Sequence, residues 1–294
     1  MNDTTEWFTV EQIGERTHQI TEGAAVLPCH SFVVDGGDET LLIDTGLGIG
    51  DLRSVVEDIA GSGDIRVLLT HSHWDHIGGA NQFDDIVIND RERHSDGSVS
   101  MDVLEDDHSA VVDFFVTEWL ELGEAFPDGF DPESYTIDPV PDVGTVEPGD
   151  VLTVGDRALE LVAIPGHSPG LLAAIDRDAG ICFGSDVVEP GIELFAQFTT
   201  SDIDAYVDSL NRLIELRDDG AFDVLAIGHG GPFSGDELSV LDDAKRAATA
   251  VANGEVPFER IDSPTGVAYQ YTVGDVNVLT QPHEEKSDDG ERSG

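Results

Sequence analysis

Residues 68–79 read Leu-Leu-Thr-His-Ser-His-Trp-Asp-His-Ile-Gly-Gly, the end of an apolar strand followed by four potential metal ligands within six positions. In an extended segment alternate side chains point the same way, so His71 and His73 can converge. Asp75 and His76 follow where the chain turns toward a helix, and they can face the same space from another side. Histidine nitrogen and carboxylate oxygen suit Zn²⁺, Mn²⁺ or Fe²⁺. The spacing therefore predicts a metal site at the end of a strand.

Four further short motifs occur before and after this cluster. They read Leu42-Ile43-Asp44-Thr45-Gly46, Pro165-Gly166-His167-Ser168-Pro169-Gly170, Gly184-Ser185-Asp186 and Gly228-His229-Gly230-Gly231. Together with His-x-His-x-Asp-His-x-Gly-Gly after a strand, this ordered set resembles the metallo-β-lactamase superfamily over about residues 20–235. The resemblance implies an α/β fold, an αββα sandwich in which two mixed sheets are flanked by helices.

The resemblance also implies a ligand set, position by position. The first metal would be held by His71, His73 and His167, the second by Asp75, His76 and His229, and Asp186 would bridge both. We expect two divalent ions, with Zn²⁺ favoured and Mn²⁺ or Fe²⁺ as alternatives. Asp75 and Asp186 are the expected catalytic residues, and Asp44 is expected to position the ligand loops without binding metal. The other histidines match no motif and are expected on the surface or in packing: His18, His30, His94, His108 and His283.

This ligand set favours hydrolysis. Two cations about 3.5–4 Å apart can share a hydroxide, because they lower the pKa of bound water from 15.7 toward about 7. The bridging hydroxide is then the nucleophile, so no activated serine or cysteine is required. We expect a binuclear metallohydrolase, glyoxalase II-like in its ligands, that cleaves a carbonyl ester of a small-molecule substrate, with a thioester or lactone favoured.

Other branches of the superfamily agree less well with the sequence. Di-iron flavoproteins usually carry glutamate where this chain has His73, and true β-lactamases commonly use a cysteine where it has Asp186. Glyoxalase II proper has a helical C-terminal domain, whereas only about 65 residues follow His229. Acyl-lactonases usually have a tyrosine near the bridging aspartate; residues 186–188 have none, and Tyr206 lies on a predicted helix. An alternative from another reaction class is a mono-iron persulfide dioxygenase. One iron per chain would favour this dioxygenase, and two zinc or manganese ions would favour the hydrolase.

One glycine-rich turn imitates a dinucleotide site. Gly46, Gly48 and Gly50 follow a strand and precede a predicted helix. Their spacing is Gly-x-Gly-x-Gly and lacks the residue needed for Gly-x-Gly-x-x-Gly. We therefore expect no nicotinamide cofactor here.

The charge of the chain is extreme. Its 294 residues include 61 acidic and 14 basic residues, a formal net charge of −47. Disorder does not follow, because about 48% of residues are apolar when glycine is counted and tyrosine is not, as in globular domains. Negative charge in every segment with only two lysines is typical of a halophilic protein, since molar salt shortens the Debye length to roughly 3 Å. We expect no nucleic-acid partner, because polyanions bind through Lys and Arg.

The two cysteines and the hydropathy of the chain indicate where in the cell the protein is expected. Cys29 and Cys182 lie in apolar contexts without a Cys-x-x-Cys motif, which favours reduced core residues in a cytosol. The first 25 residues lack the pattern of a signal peptide, and no apolar stretch approaches 18 residues. We expect a cytoplasmic protein that does not enter a membrane; a homodimer is left open.

Apolar runs alternate with helical patterns, as in layered α/β folds. Strands are predicted at 32–34, 40–44, 65–70, 86–88, 151–154, 159–164, 171–175, 181–184 and 223–227, helices at 50–60, 76–83, 103–126, 202–217 and 236–253, and a hairpin at 267–279. Residues 1–282 are expected to form a single domain, apart from a frayed start at 1–6, and 283–294 a disordered acidic tail. A helical insertion at 91–143 carries apolar residues three to four apart. It either packs on the core or forms a lid or dimer contact near the active site.

Overall fold

Two mixed sheets dominate the computed structural model, which describes residues 7–61, 63–104, 109–189 and 191–282. The first sheet has seven strands in chain order: β1 (Phe8–Gly14), β2 (Thr17–Glu22), β3 (Cys29–Asp35), β4 (Glu39–Ile43), β5 (Asp64–Leu68), β6 (Asp85–Asn89) and β7 (Gly144–Val146). Neighbours from β1 to β4 are antiparallel, and those from β4 to β7 are parallel. The expected ends at 1–6 and 283–294 lie outside the described residues.

The remaining strands form a six-stranded and a four-stranded sheet. They are β8 (Val151–Val154), β9 (Arg157–Ala163), β10 (Leu172–Asp176), β11 (Ile181–Ser185), β12 (Glu193–Ala196), β13 (Val224–Ile227), β14 (Phe233–Ser234), β15 (Phe258–Ser263), β16 (Gly266–Val273) and β17 (Val276–Thr280). The second sheet has the order β14-β13-β11-β10-β9-β8, and the third β12-β17-β16-β15. The predicted hairpin is thus β16 and β17, extended on both sides by strands that were not predicted.

The helices cover the outer faces of the two large sheets. They are α1 (Leu52–Ala60), α2 (Trp74–Ile77), α3 (Ser109–Leu122), α4 (Ile203–Asp218) and α5 (Val240–Ala252). Residues of α1, α2 and α3 pack on the first sheet, and those of α4 and α5 on the second. None of the described helices is both long and apolar enough to cross a bilayer.

Alternation along the central strands creates these layers. In β3, Phe32 and Val34 belong to the cluster between the two sheets, while Val33 belongs to the cluster under α1 and α3. In β10, Ala174 faces the space between the sheets and Ala173 faces the layer of α4 and α5. Because successive strand residues point to opposite faces, each strand contributes to two cores. The layer order is therefore helix, sheet, sheet, helix, and the predicted αββα sandwich is confirmed.

The predicted helix at 76–83 is wrong in its bounds. Helix α2 ends at Ile77, and a 3₁₀ turn follows at Ala80–Gln82. Gly78 lies so near the next loop that a side chain there would sit 2.3 Å from the Leu47 carbonyl group. The backbone of residues 45–48 therefore occupies the space that a longer helix would need.

The helix in the insertion ends earlier than predicted. It is described from Ser109 to Leu122 rather than 103–126, and residues 105–108, including His108, lie outside the described residues. Gly123 follows with φ of 75°, a left-handed conformation that commonly ends helices. Val112, Phe115 and Trp119 are buried against the first sheet, so this face packs on the core, which is the first of the two alternatives.

The glycine-rich turn after β4 surrounds a carboxylate of the protein itself. Glu22 is 2% exposed and accepts hydrogen bonds from the backbone N–H groups of Leu47, Ile49 and Gly50 at 2.7, 3.1 and 3.0 Å. The indole N–H of Trp7 donates to the same carboxylate. The amide groups that would face a phosphate in a dinucleotide site are therefore already used.

A buried ion pair joins the two large sheets at one edge. Arg157, at the start of β9, lies 2.6 Å from Asp176 at the end of β10, and both are at most 8% exposed. Arg157 also donates to the Glu15 carbonyl and to the Thr17 hydroxyl of the first sheet, each at 3.2 Å. The guanidinium thus satisfies acceptors in both sheets.

Replacing Arg157 with methionine is expected to lower the free energy of unfolding by about 3–5 kcal/mol, because Asp176 would stay buried without its partner. Urea titration at constant KCl measures the loss. Arg177→Met is the matched control: its pair with Glu160 is 48% and 37% exposed, so about 1 kcal/mol or less is expected. Equal effects of the two substitutions would contradict this account.

Candidate metal centre

Seven side chains from five segments meet at one end of the two large sheets. His71 and His73 lie in the loop after β5, Asp75 and His76 on α2, His167 between β9 and β10, Asp186 directly after β11, and His229 after β13. All seven are buried, Asp75 being the most exposed at 8%. The structure therefore brings together every residue of the predicted ligand set.

One carboxylate oxygen occupies the middle of the cluster. Asp186 Oδ2 lies 3.6 Å from His71 Nε2, 3.2 Å from His76 Nε2, 3.4 Å from His167 Nε2 and 3.7 Å from His229 Nε2. Four imidazole rings from four segments thus point one nitrogen each at the same atom. This is the arrangement expected of a carboxylate shared by two groups of ligands.

The donor atoms of the predicted histidine ligands and Asp186 fall into two overlapping groups. His71, His73, His167 and Asp186 form one set whose donor atoms lie within 4.8 Å of one another, and His76, Asp186 and His229 form another. Asp75 Oδ2 lies 3.2 Å from His229 Nε2. These groups correspond to the two predicted sites, with Asp186 common to both.

The spacing suits small divalent ions. Bonds from zinc to nitrogen and oxygen are about 2.0–2.2 Å, which places tetrahedral ligand atoms roughly 3.3–3.6 Å apart. The separations of 3.2 to 3.7 Å around Asp186 agree with that range. The Nε2 atom of His71 is buried and has no hydrogen-bond partner among the described residues. A metal ion bound to this nitrogen would account for its missing partner.

The opposite ring nitrogens are held by the protein. Nδ1 of His167 donates to the Phe195 carbonyl at 2.9 Å, and Nδ1 of His229 donates to the Pro28 carbonyl at 2.8 Å. Nδ1 of His76 lies 2.8 Å from Asp44 Oδ2. Because carbonyl and carboxylate oxygens accept, each contact places a hydrogen on Nδ1 and directs Nε2 at the cluster.

Without metal, protons balance the charge of this site. Burial lowers the pKa of His71 and His167 below the usual histidine value. Burial acts the same way on His76, but Asp186, Asp44 and Asp75 outweigh it and raise the pKa of His76 well above its usual range. Histidines that are protonated beside carboxylates must release those protons when a cation binds.

Asp44 supports the loop that carries the ligands, as expected. Its carboxylate accepts from the Thr70 N–H at 2.7 Å and the Thr70 hydroxyl at 2.8 Å, besides contacting His76. Thr70 Oγ1 also lies 2.8 Å from Ser185 Oγ, next to Asp186. One carboxylate thereby fixes the start of the histidine loop, one ligand ring and the strand end that carries Asp186.

Gly228 is required by the close approach of a ligand. A side chain at this position would lie 2.1 Å from Asp186 Oδ1. The glycine before His229 therefore allows β13 to pass beside the bridging aspartate. The motif Gly-His-Gly-Gly contributes space as well as a nitrogen.

Glu92 is a supporting residue that sequence reasoning missed. It is fully buried, and its Oε2 accepts from the Ser72 N–H at 3.1 Å and the Ser72 hydroxyl at 2.8 Å. Its Oε1 accepts from the Ser168 hydroxyl at 2.8 Å and the Gly170 N–H at 2.7 Å. Glu92 therefore joins the loop of His71 and His73 to that of His167. Among 61 acidic residues no sequence signal distinguished it.

A cavity of about 260 Å³ opens over the cluster. It is bounded by ligands including His73, Asp75, His167, Asp186 and His229, and elsewhere mostly by apolar side chains. Val111, Phe114 and Phe115 of α3 form part of its wall, so this helix both packs on the core and reaches the site.

Glu189 is a second missed residue, and it faces this cavity. It is 3% exposed, and its Oε1 has no hydrogen-bond partner among the described residues. Burial, assisted by the nearby Asp186, raises the pKa of Glu189 to about 8. A carboxyl group that is neutral at neutral pH therefore lies beside the ligand cluster in the metal-free protein.

Two residues that the sequence did not place near the site also lie beside it. The hydroxyl of Tyr206, on α4, donates to the Asp186 carbonyl at 2.9 Å, so a tyrosine does lie near the bridging aspartate, contrary to the argument from residues 186–188. Cys29, expected to be a core residue, is buried but groups with Asp75 and His229. Both contacts join positions far apart in the chain.

Replacing Glu92 with glutamine is expected to weaken binding of the first metal by about 10–100-fold, as for other groups that orient ligands. The amide NH₂ would face an N–H donor, so a further loss of about 1–3 kcal/mol in unfolding free energy is expected. Competition with a zinc chelator and urea titration measure the two effects. Glu11→Gln, on the exposed part of β1, should change neither; unaltered zinc affinity in Glu92→Gln would contradict the assigned role.

The metal-free protein is expected to lose stability as pH rises through the range in which Glu189 ionises. A carboxyl with a raised folded-state pKa stabilises the fold fully below its unfolded value of 4.5, and this contribution is lost as the pH rises toward about 8. Between about pH 5 and pH 9, the Tm of the wild type should fall relative to that of Glu189→Gln when a chelator is present. Glu147→Gln, which is exposed, should follow the wild type. Parallel curves for the wild type and Glu189→Gln would overturn this expectation.

Comparison with known proteins agrees with the geometry. The sequence model of the metallo-beta-lactamase superfamily matches residues 24–229. The chain is 30% identical over 252 residues to a Bos taurus protein named acyl-coenzyme A thioesterase MBLAC2, covering 79% of this chain and 85% of that one. It is 26% identical over 209 residues to the Haemophilus influenzae hydroxyacylglutathione hydrolase GloC, covering 68% and 84%.

A solved structure shows the same fold. The metallo-beta-lactamase from Pontibacter korlensis superposes with a TM-score of 0.55 at 17% identity, covering 81% of this chain and 99% of that one. The sandwich, the ordered ligand motifs and the match over residues 24–229 lead to one conclusion: the chain belongs to the metallo-β-lactamase superfamily.

Proposed function

We propose that this protein is a binuclear metallohydrolase that cleaves acyl thioesters. The observation that carries the proposal is the juxtaposition of two groups of metal-ligating side chains with one largely apolar cavity. The two groups of side chains provide the charge and the nitrogen donors for hydrolysis, and the cavity provides a place for an acyl chain. Relatives named as an acyl-coenzyme A thioesterase and a hydroxyacylglutathione hydrolase both act on thioesters by their names, which supports this choice.

Each ligand has a role in the proposal. His71, His73 and His167 hold the first cation, Asp75, His76 and His229 hold the second, and Asp186 is shared. When bound, the cations supply a lowered pKa for water and polarisation of the scissile carbonyl. Zinc is favoured, and its nitrogen and oxygen preferences agree with the donor set.

The cavity wall argues for an apolar acyl group. Phe195 and Phe198 contact His167 and line the cavity, and Leu27, Phe114 and Leu279 of β17 line it as well. Apolar surface buried on binding stabilises the complex by roughly 25 cal/mol per Å². The same wall excludes water from the reacting carbonyl, which strengthens every electrostatic interaction around it.

Asp75 and Asp186 are the proposed catalytic residues. In the metal-free cluster Asp75 Oδ2 lies 3.2 Å from His229 Nε2, and Asp186 Oδ2 lies between four imidazoles. Asp75 also borders the cavity, so its second oxygen can accept a hydrogen bond from the attacking nucleophile and orient it. Asp186 keeps the two groups of ligands at a fixed separation.

The test is a hydrolysis panel on zinc-loaded protein in molar KCl, with an acyl thioester, a lactone, a phosphodiester and a β-lactam. The thioester is expected to be cleaved fastest, and His71→Ala and Asp186→Ala should lose about 10³-fold or more in kcat/KM, roughly 4 kcal/mol of transition-state stabilisation. Metal content of each variant, measured by atomic emission, should fall in parallel. His94→Ala, whose ring contacts Ser100 and Asp102 away from the cluster, is the control and should retain activity.

Two outcomes would reject the proposal. Activity confined to the phosphodiester would exclude the assigned substrate class, and full activity in His71→Ala would exclude the assigned ligands. Metal stoichiometry decides the alternative of a mono-iron persulfide dioxygenase, since that enzyme class requires one iron per chain. Two zinc ions per chain would support the hydrolase.

A further inference from the structure

A third group of potential ligands, which shares His229 with the second, contains a sulfur atom that none of the sequence motifs includes. Cys29 is the first residue of β3 and is 1% exposed. Its Sγ, a carboxylate oxygen of Asp75 and a ring nitrogen of His229 all lie within 4.8 Å of one another. The two partners are residues that the proposed function assigns to the second cation.

Backbone contacts keep this sulfur beside His229. The carbonyl of Pro28, the residue before Cys29, accepts the hydrogen bond from His229 Nδ1 at 2.8 Å. The N–H of His30, the residue after it, donates to the Gly228 carbonyl at 2.9 Å. Cys29 therefore lies between two residues that are each hydrogen-bonded to the Gly228–His229 segment. The hydrogen bond that orients the His229 ring therefore also holds the Cys29 backbone beside it, while the thiol itself donates to the Leu27 carbonyl at 3.5 Å.

The distances allow coordination with a small adjustment. Zinc binds sulfur at about 2.3 Å and nitrogen or oxygen at about 2.0–2.2 Å, so neighbouring sulfur and nitrogen ligands of one ion lie roughly 3.1–3.6 Å apart when four to six ligands are present. Asp75 and His229 are already 3.2 Å apart. Since the thiol lies within 4.8 Å of both partners, it must approach by at most about 1.2–1.7 Å, which a rotation of a cysteine side chain provides.

We propose that Cys29 is a ligand of the second cation, in addition to Asp75, His76, His229 and Asp186. On binding, the S–H bond breaks, the proton leaves to water and the sulfur lone pair forms the bond to the metal. This inference rests on the two-cation centre proposed above. It has a consequence for metal choice, because a thiolate favours zinc, cobalt or ferrous iron over manganese.

The other cysteine provides a matched control. Cys182, on β11, is equally buried but belongs to the apolar cluster between the second sheet and the layer of α4 and α5. It is part of none of the groups of potential metal ligands in the described residues. The chain contains two cysteines in all, so a sulfur signal in Cys182→Ser can come only from Cys29.

The experiment is reconstitution of the metal-free full-length protein with Co²⁺, followed by optical absorption during the titration. A thiolate bound to cobalt gives a charge-transfer band in the near ultraviolet that imidazole and carboxylate ligands do not give. The band is expected in the wild type and in Cys182→Ser and should be absent in Cys29→Ser. Affinity for the second ion should also fall about tenfold or more in Cys29→Ser and stay unchanged in Cys182→Ser.

The outcomes separate this inference from the proposed function. Two bound cobalt ions without the band, or a band that persists in Cys29→Ser, would overturn Cys29 as a ligand and leave the binuclear centre intact. No cobalt binding at all would overturn both. Should Cys29→Ser fail to fold, the wild type and Cys182→Ser still decide the question, since the band must appear in both.

Discussion

The carboxylate of Asp186, buried among four imidazole rings, is the constraint on which the rest of the structure depends. A charge in a protein interior is costly unless other charges and hydrogen bonds compensate it. Here Asp186 Oδ2 has histidine nitrogens from β5, α2, β9–β10 and β13 segments at 3.2–3.7 Å. Both large sheets must therefore end at the same place, and the sandwich holds them there through the apolar cluster between β3, β4, β9 and β10.

Three buried carboxylates outside the central cluster hold the surrounding loops in place. Asp44 holds the start of the histidine loop, Glu92 joins that loop to the one that carries His167, and Glu22 organises the turn after β4. Each accepts hydrogen bonds from backbone N–H groups, so irregular loops remain buried without unpaired donors. The ligands can then be rigid although they lie outside regular strands. Glu189 differs, because it borders the cavity and its Oε1 has no hydrogen-bond partner among the described residues.

The large negative charge of the chain and the chemistry of its site are separate matters. Of 61 acidic residues, those buried in the described part of the chain are Glu22, Asp44, Asp75, Glu92, Asp176, Asp186 and Glu189. They include the proposed ligands and the residues that position them, whereas the exposed majority contacts solvent. The composition of the chain mainly reflects the exposed acidic residues. It does not show which acidic residues are buried at the site. A proposal of salt adaptation therefore concerns the surface, and the proposed thioester hydrolysis concerns a few interior groups.

The sequence by itself determined the fold family and indicated the seven side chains that meet at the candidate site, because those residues lie in short motifs whose local spacing is tied to strand ends. His71, His73, Asp75 and His76 are neighbours in the chain, and His167, Asp186 and His229 each have flanking glycines that mark a close approach. Only the tertiary structure placed Cys29, Glu92, Glu189 and Tyr206 beside these side chains. Each of these acts on a partner far along the chain, as in the 76 positions between Glu92 and Ser168, or through burial. Neither a contact between residues far apart in the chain nor the burial of a side chain leaves a pattern in the neighbouring residues. The sequence therefore could not reveal these positions.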